Sequence, residues 1–132
     1  MRPPFAWYRL GRRLLAALLL CACVLLAPPL QSALAGPVDW HEVTATAEGR
    51  QWWDAGSLRL DRDGRLSVLS RFQPPEGATT LYVMQLDCDQ ALYRDTSVNG
   101  LPQWQAEWRP VAGDGLMTSV LQEACAAATA SR

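Results

Sequence analysis

Hydrophobic residues divide the chain into two unlike parts. Residues 14–27 form an uninterrupted apolar run of 14 residues. From Trp40 onward, apolar residues come in short runs that are separated by turn-forming residues. The turn signals are Glu48-Gly49, Asp63-Gly64, Pro74-Pro75-Glu76-Gly77, Asn99-Gly100 and Gly113-Asp114-Gly115. Short strands at this spacing are typical of an antiparallel sheet.

Six runs between these turn signals predict strands. They are residues 40–46, 51–55, 66–72, 80–87, 91–98 and 103–109. In the third run, Leu66, Val68 and Phe72 are in phase, which places their side chains on one face of a strand. Residues in phase on one face are the pattern expected of a sheet that covers a core.

The last segment of the chain follows a different period. Leu116, Val120, Leu121 and Ala124 recur at helical spacing, and Asp114 or Gly115 can cap the start of a helix. This pattern predicts a helix from residue 115 to about 127. The whole pattern predicts an α+β fold, an antiparallel sheet of about five or six strands with one C-terminal helix packed on it.

The first 35 residues have the three parts of a secretory signal peptide. The cationic part contains Arg2, Arg9, Arg12 and Arg13. The apolar run follows, and Ala33-Leu34-Ala35 places small residues where signal peptidase requires them. We therefore expect residues 1–35 to be removed after Ala35. Residues 36–132 then form a single domain with no stable membrane span after processing.

Two alternatives to this cleavage remain open. Apolar residues continue beyond Pro28-Pro29, so the segment could stay attached as an uncleaved membrane anchor. The sequence Leu20-Cys21-Ala22-Cys23 loosely resembles a lipobox, which would make Cys23 a lipidation site. If cleavage follows Ala35, Cys21 and Cys23 are apolar residues of the signal peptide and are removed with it.

The charge balance argues against nucleic acid as a partner. Four of the 12 Arg lie in the cationic N-terminal part, and the remaining eight face all 13 acidic residues, which gives the rest of the chain a net charge of −5. An acidic domain does not attract phosphate backbones by its overall field.

Cysteine positions predict one disulfide. Cleavage after Ala35 leaves Cys88 and Cys125, and an even pair in a small exported domain is typical of a disulfide. Closing this loop stabilises the folded state by roughly 4 kcal/mol in the chain-entropy model. The alternative is a metal site, but there is no C-x-x-C motif, and the single His41 is far away in sequence. We therefore expect neither a metal nor a cofactor.

Catalytic chemistry finds little support in the sequence. Asp61-Arg62-Asp63-Gly64 begins like a calcium loop, yet the twelfth position is Phe72 instead of Glu. We interpret it as a tight hairpin turn with Gly64 at positive φ. His41 is the only histidine, and no serine lies in a G-x-S-x-G motif. We identify no catalytic residues in the sequence, and we expect that the protein is not an enzyme.

Tryptophans are the candidate binding residues. Trp52 and Trp53 are adjacent, so on a strand their side chains point to opposite faces. If one ring enters the core, the other is at least partly exposed, and exposed aromatic rings are enriched in binding surfaces. Trp104 and Trp108 are in phase with Ala106, and we expect that face to be core.

Several features together resemble the surface-adhesin protein E-like family of small exported bacterial proteins. They are Trp40 with Val43, Trp53-Asp54, Ser57-Leu58-Arg59, Asp63-Gly64, Asp87-Cys88, Tyr93-Arg94, Gly100, Trp108 and Cys125. The resemblance implies a β-sheet with one helix and an exported protein. The family's founding function is adhesion to host proteins by a surface lipoprotein. No residue here matches a host-binding motif, and this signal sequence favours cleavage without a lipid.

The sequence thus favours an exported, non-enzymatic binding or interaction domain in the periplasm, on the cell surface or in the medium. Its partner would be a protein or an envelope component. The alternative is a structural accessory protein of the cell envelope.

Overall fold

The computed structural model describes residues 5–26 and 37–132, in two compact units, Met1–Leu34 and Ala35–Arg132. In the first unit, helix α1 (Phe5–Leu26) contains most of the apolar run, and the side chains of residues 11–23 are exposed. The predicted cleavage sequence Ala33-Leu34-Ala35 lies outside the described residues. Within the two described ranges, no helix is both long and apolar enough to cross a membrane.

Residues 37–132 form an antiparallel sheet of eight strands with one α-helix, α2 (Gly115–Ala130), and a short 3-10 helix (Ala55–Ser57). The strands are β1 (Trp40–Glu42), β2 (Arg50–Asp54), β3 (Arg59–Leu60), β4 (Leu66–Gln73), β5 (Thr80–Asp87), β6 (Leu92–Val98), β7 (Leu101–Pro102) and β8 (Arg109–Pro110). The main path across the sheet is β1-β2-β4-β5-β6-β7, with β3 beside β4 and β8 beside β6. The predicted α+β fold is confirmed.

Four of the eight strands have the boundaries that the sequence pattern predicts. Strands β2, β4, β5 and β6 match the predicted ranges to within one residue at each end. Strand β1 is shorter than predicted and ends at Glu42, because the chain then turns tightly, with Thr46 and Gly49 bonded to each other through their backbones.

The sixth predicted strand, residues 103–109, is wrong. Between β7 and β8 the chain forms a loop in which the Ala106 N–H donates to the Gln103 carbonyl at 3.3 Å. Pro102 and Pro110 stand at the two ends of this loop, and proline has no amide hydrogen to donate to a strand ladder. Trp104, which the sequence places in the core, is 91% exposed.

The core lies between α2 and one face of the sheet. Its buried side chains are Val43, Trp53, Leu66, Val68, Met84, Leu86, Tyr93, Val111, Leu116, Met117, Val120, Leu121 and Ala124. The four residues that predicted the helix are all among them. Asp114 caps the helix, since its Oδ1 accepts a hydrogen bond from the Met117 N–H at 2.9 Å.

The predicted disulfide between Cys88 and Cys125 is confirmed. Cys88 follows directly after β5, and Cys125 lies in the second half of α2. Their Cα atoms are 6.0 Å apart, within the range of roughly 4.4–6.8 Å that disulfides span. The bond attaches the C-terminal half of α2 to one end of the sheet.

Candidate functional site

Trp52 and Trp53 point to opposite faces of β2, as expected for adjacent strand residues. Trp53 lies in the core and is 3% exposed, and its Nε1–H donates to Glu123 Oε2 at 2.9 Å. Trp52 lies on the face away from α2, yet it is only 8% exposed. The prediction that one of these two rings is at least partly exposed is therefore wrong.

Arginine side chains cover Trp52. The guanidinium carbons of Arg50 and Arg71 lie 4.7 and 4.5 Å from the centre of its ring. Arg71 also lies 4.6 Å from the ring of Trp40, and Arg50 donates two hydrogen bonds to Glu42, at 2.6 and 2.7 Å. Arg50 is two residues from Trp52 on β2, and Arg71 is its cross-strand partner on β4. These contacts remove the ring from solvent, and the proposed binding role of the pair loses its basis.

Trp108 is covered in the same way. The guanidinium carbons of Arg94 and Arg65 lie 4.5 and 5.0 Å from its ring centre. The prediction that Trp108 belongs to the hydrophobic core is wrong, because the ring packs between arginines and is absent from the buried apolar cluster. The arginines on the sheet face away from α2 thus serve packing.

His41 occupies a surface position without catalytic partners in the described part of the chain. Its Nε2 lies 3.2 Å from Asp39 Oδ2, and its ring stacks on Trp53 with 5.0 Å between centroids. Two of the serine hydroxyls considered as nucleophiles donate hydrogen bonds to backbone carbonyls. Ser57 Oγ donates to the Asp54 carbonyl and Ser70 Oγ to the Trp52 carbonyl. No described hydrogen bond joins a serine to His41.

The Asp61 segment forms the predicted hairpin turn. Asp61 Oδ1 accepts hydrogen bonds from the N–H groups of Asp63 and Arg65, both at 2.9 Å, and Gly64 has φ +79°. The carboxylate therefore stabilises the backbone of its own turn. Across residues 5–26 and 37–132, no group of three or more His, Cys, Asp or Glu residues could hold a metal ion.

The loop between β7 and β8 forms one wall of an open groove. The groove has a volume of about 440 Å³ and is lined by Asp95, Val98, Gln103, Gln105, Ala106, Glu107 and Arg109. Trp104 lies on this loop, between two residues of the lining, and exposes 91% of its surface. An indole ring this exposed contributes little to folding and is available for binding.

A smaller cavity adjoins the groove. It has a volume of about 200 Å³ and is lined by Glu48, Gln51, Phe72, Tyr82, Met84, Tyr93, Asp95, Arg109, Asp114, Leu116 and Met117. It lies between strands β2, β4, β5 and β6 and the first turn of α2. Asp95 and Arg109 line both spaces, so this pair stands where the groove and the cavity meet.

Asp95 and Arg109 form a close ion pair. Arg109 Nη2 donates to Asp95 Oδ2 at 2.5 Å, and the Asp95 side chain is only 17% exposed. Burial raises the pKa of Asp95 above its usual value, and the charge and hydrogen bond of Arg109 oppose this rise. The Arg109 guanidinium also lies 4.6 Å from the ring centre of Tyr93, whose pKa is raised mainly by burial.

The family model for the surface adhesin-E family matches residues 41–131. The chain belongs to the surface adhesin-E family. No curated protein and no solved structure matches the chain significantly. The surface adhesin-E match extends from β1 to the end of α2 and includes the disulfide, the groove and the cavity. Membership in this adhesin family indicates an exported, cell-surface protein with a binding or interaction role.

The site that the surface adhesin-E fold presents differs from the one predicted from sequence. Sequence patterns did not single out Trp104, Asp95 or Arg109 as site residues. Pro102 and Pro110 around the Trp104 segment were the available signal, because they favour a loop over a strand. The pairing of Asp95 with Arg109 depends on β8 lying beside β6, which no local pattern indicates.

Proposed function

We propose that this protein is an exported, non-enzymatic domain that binds a protein or an envelope component through the Trp104 loop. In this account residues 1–35 are a signal peptide, cleavage follows Ala35, and residues 36–132 are the single working domain. The domain then acts in the periplasm, on the cell surface or in the medium.

The exposure of Trp104 is the observation that supports the binding site. Burying an aromatic side chain removes a large apolar area from water, and tryptophan is enriched among the residues that dominate binding energy. The other tryptophans of the domain lie in the core or pack against arginine side chains. Trp104 is therefore the tryptophan whose ring a partner could cover without disturbing the fold.

The groove beside Trp104 adds polar contacts to this surface. Gln103, Gln105 and Glu107 alternate along the loop and line the groove. Amide and carboxylate groups around an aromatic centre resemble the arrangement of protein interfaces, where a polar rim surrounds an apolar hot spot. The surface adhesin-E family membership agrees with such a role.

Site-specific photo-crosslinking in cells that produce the protein tests this proposal. A photoreactive phenylalanine derivative replaces Trp104 in one variant and Gln122, on the exposed side of α2, in the matched control. We expect a crosslinked adduct of one defined mass from position 104 and none from position 122. Adducts at neither position, or equally at both, would show that the Trp104 loop is not the binding surface. The first of these outcomes would favour a structural accessory of the envelope.

A further inference from the structure

The smaller cavity has a chemistry of its own that the Trp104 surface does not use. Its volume of about 200 Å³ is below the roughly 300–1,000 Å³ of pockets that take drug-sized ligands. It fits a single charged head group with a few carbon atoms. The composition of its lining indicates which charge that group carries.

Carboxylates outnumber cations in this lining. Glu48, Asp95 and Asp114 contribute three carboxylates, and Arg109 contributes the one guanidinium. Asp114 is partly occupied as the cap of α2. Glu48 forms no ion pair among the described residues, so its charge is not compensated within this part of the chain. The lining is therefore net negative and attracts a cation.

Aromatic rings strengthen this preference. Phe72, Tyr82 and Tyr93 come from the neighbouring strands β4, β5 and β6 and all contribute to the lining. The face of an aromatic ring attracts a cation electrostatically. Tyr93 already has the guanidinium of Arg109 over its ring, at 4.6 Å. Rings next to carboxylates are the side chains that recognise organic ammonium groups.

Among the described residues, Asp95 has one carboxylate oxygen that is paired and one that is not. Its Oδ2 accepts the hydrogen bond from Arg109, whereas its Oδ1 is buried and has no hydrogen-bond partner in the described part of the chain. A buried acceptor without a donor is unfavourable, and a charged N–H donor offsets that loss. This favours a cation that carries N–H groups over a quaternary ammonium ion.

We propose that the cavity binds an alkylammonium group, with the Asp95 carboxylate accepting its N–H and the rings of Tyr82 and Tyr93 packing on its carbon chain. A free primary amine and the side chain of a partner's lysine share this chemistry. The proposal does not require Trp104, although Asp95 and Arg109 line both the cavity and the groove.

NMR titration of the purified protein tests the site with defined probes. The probes are n-butylammonium chloride for a free amine and Nα-acetyl-lysine methylamide for a lysine side chain. The controls are n-butanol, which has the chain without the charge, and tetramethylammonium chloride, which has the charge without an N–H. We expect saturable shifts at Tyr82, Tyr93 and Met84 with one or both amines and none with the two controls. The tighter amine identifies the source of the ligand.

Variants separate recognition by Asp95 from a general effect of charge. Asp95→Asn should weaken amine binding by about tenfold, the effect of losing a hydrogen bond to a charged group. Asp87→Asn is the matched control, since Asp87 is also largely buried, with 15% of its side chain exposed, and faces Arg65. Asp87→Asn should leave amine binding unchanged.

Three results would overturn the ammonium site. They are the absence of saturable shifts with both amines, equal binding of n-butanol, and equal loss of binding in Asp95→Asn and Asp87→Asn. If Asp95→Asn does not fold, Glu48→Gln replaces it, because Glu48 is exposed and outside the core. That variant should weaken binding about threefold through the lost charge, and unchanged binding would count against the site.

Discussion

At the scale of single residues, Arg71 shows how this sheet packs its outer face. Its guanidinium carbon lies 4.6 Å from the ring of Trp40 and 4.5 Å from that of Trp52. Its Nε is buried and makes no hydrogen bond among the described residues. The two rings therefore provide the main compensation for burying this cation, through cation–π attraction and contact with its planar face.

Replacing Arg71 should destabilise the domain although the side chain is charged and lies outside the core. In Arg71→Met the flexible apolar chain remains but the cation is lost, and we expect the free energy of unfolding to fall by about 1–2 kcal/mol. Urea unfolding followed by tryptophan fluorescence measures this change. Arg62→Met, in the exposed Asp61 turn, is the control and should change stability by less than about 0.5 kcal/mol. Equal effects of the two variants would contradict the packing role.

Asp95 should give the protein a distinctive pH dependence. Burial raises its pKa above the ordinary value of 3.8, so the folded state binds this proton more tightly than the unfolded chain does. Its contribution to stability is therefore present at low pH and is lost as the pH rises through the folded pKa. The amide of Asp95→Asn does not titrate. We expect the wild type to gain stability relative to Asp95→Asn as the pH falls from about 7 towards about 4.

Urea unfolding of both proteins across this pH range measures the difference and cancels the titration of all other groups. A stability difference that stays constant with pH, or that changes in the opposite direction, would show that burial does not govern Asp95. Asp87→Asn is the control for removing a largely buried carboxylate, which stands at the C-terminal end of β5 and faces Arg65.

Residue-level contacts were the part least accessible from sequence. Alternation correctly placed Trp52 and Trp53 on opposite faces, because this depends only on strand geometry. The burial of Trp52 depends on Arg71, which is distant in sequence and reaches Trp52 through the pairing of β2 with β4. Alternation alone cannot indicate which side chains of a neighbouring strand will cover a ring.

At the scale of elements, the strands were predictable where turns and alternation agreed. Strands β4 and β5 combine an alternating pattern with Asp63-Gly64 before β4 and Pro74-Pro75-Glu76-Gly77 between them. The segment containing Trp104 has an alternating pattern as well, but prolines bound it and the loop replaces a strand. The prolines cannot donate backbone hydrogen bonds to a neighbouring strand, and this loss outweighs the hydrophobic pattern.

Among the links between secondary-structure elements, the disulfide should stabilise the domain most. Reduction of the Cys88–Cys125 bond should lower the free energy of unfolding by a few kcal/mol and the melting midpoint by about 10–25 °C. Thermal melting with and without reductant measures the effect, with alkylation of the two thiols as the readout of reduction. The double variant Cys88→Ser with Cys125→Ser should melt at the reduced midpoint and show no response to reductant. An unchanged midpoint after complete reduction would contradict this role.

At the scale of the whole molecule, the chain divides into two compact units. The first unit, Met1–Leu34, contains α1, and the second, Ala35–Arg132, contains the sheet, α2 and both cavities. The surface adhesin-E match begins at residue 41, within β1. Fold class and family were accessible from sequence because they depend on periodicity and on the spacing of a few residues. The groove beside Trp104 was not, because β6, β8 and the loop before β8 come together only in three dimensions.

Peptide mass spectrometry of the natively produced protein, isolated outside the cytoplasm, tests whether the domain is exported, cleaved after Ala35 and disulfide-bonded. We predict an N-terminal peptide that begins at Gly36, together with a non-reduced digest in which the peptides containing Cys88 and Cys125 are linked. A peptide that retains Met1, or one that begins at Cys23 and carries a lipid, would contradict the claim of a cleaved, disulfide-bonded exported domain.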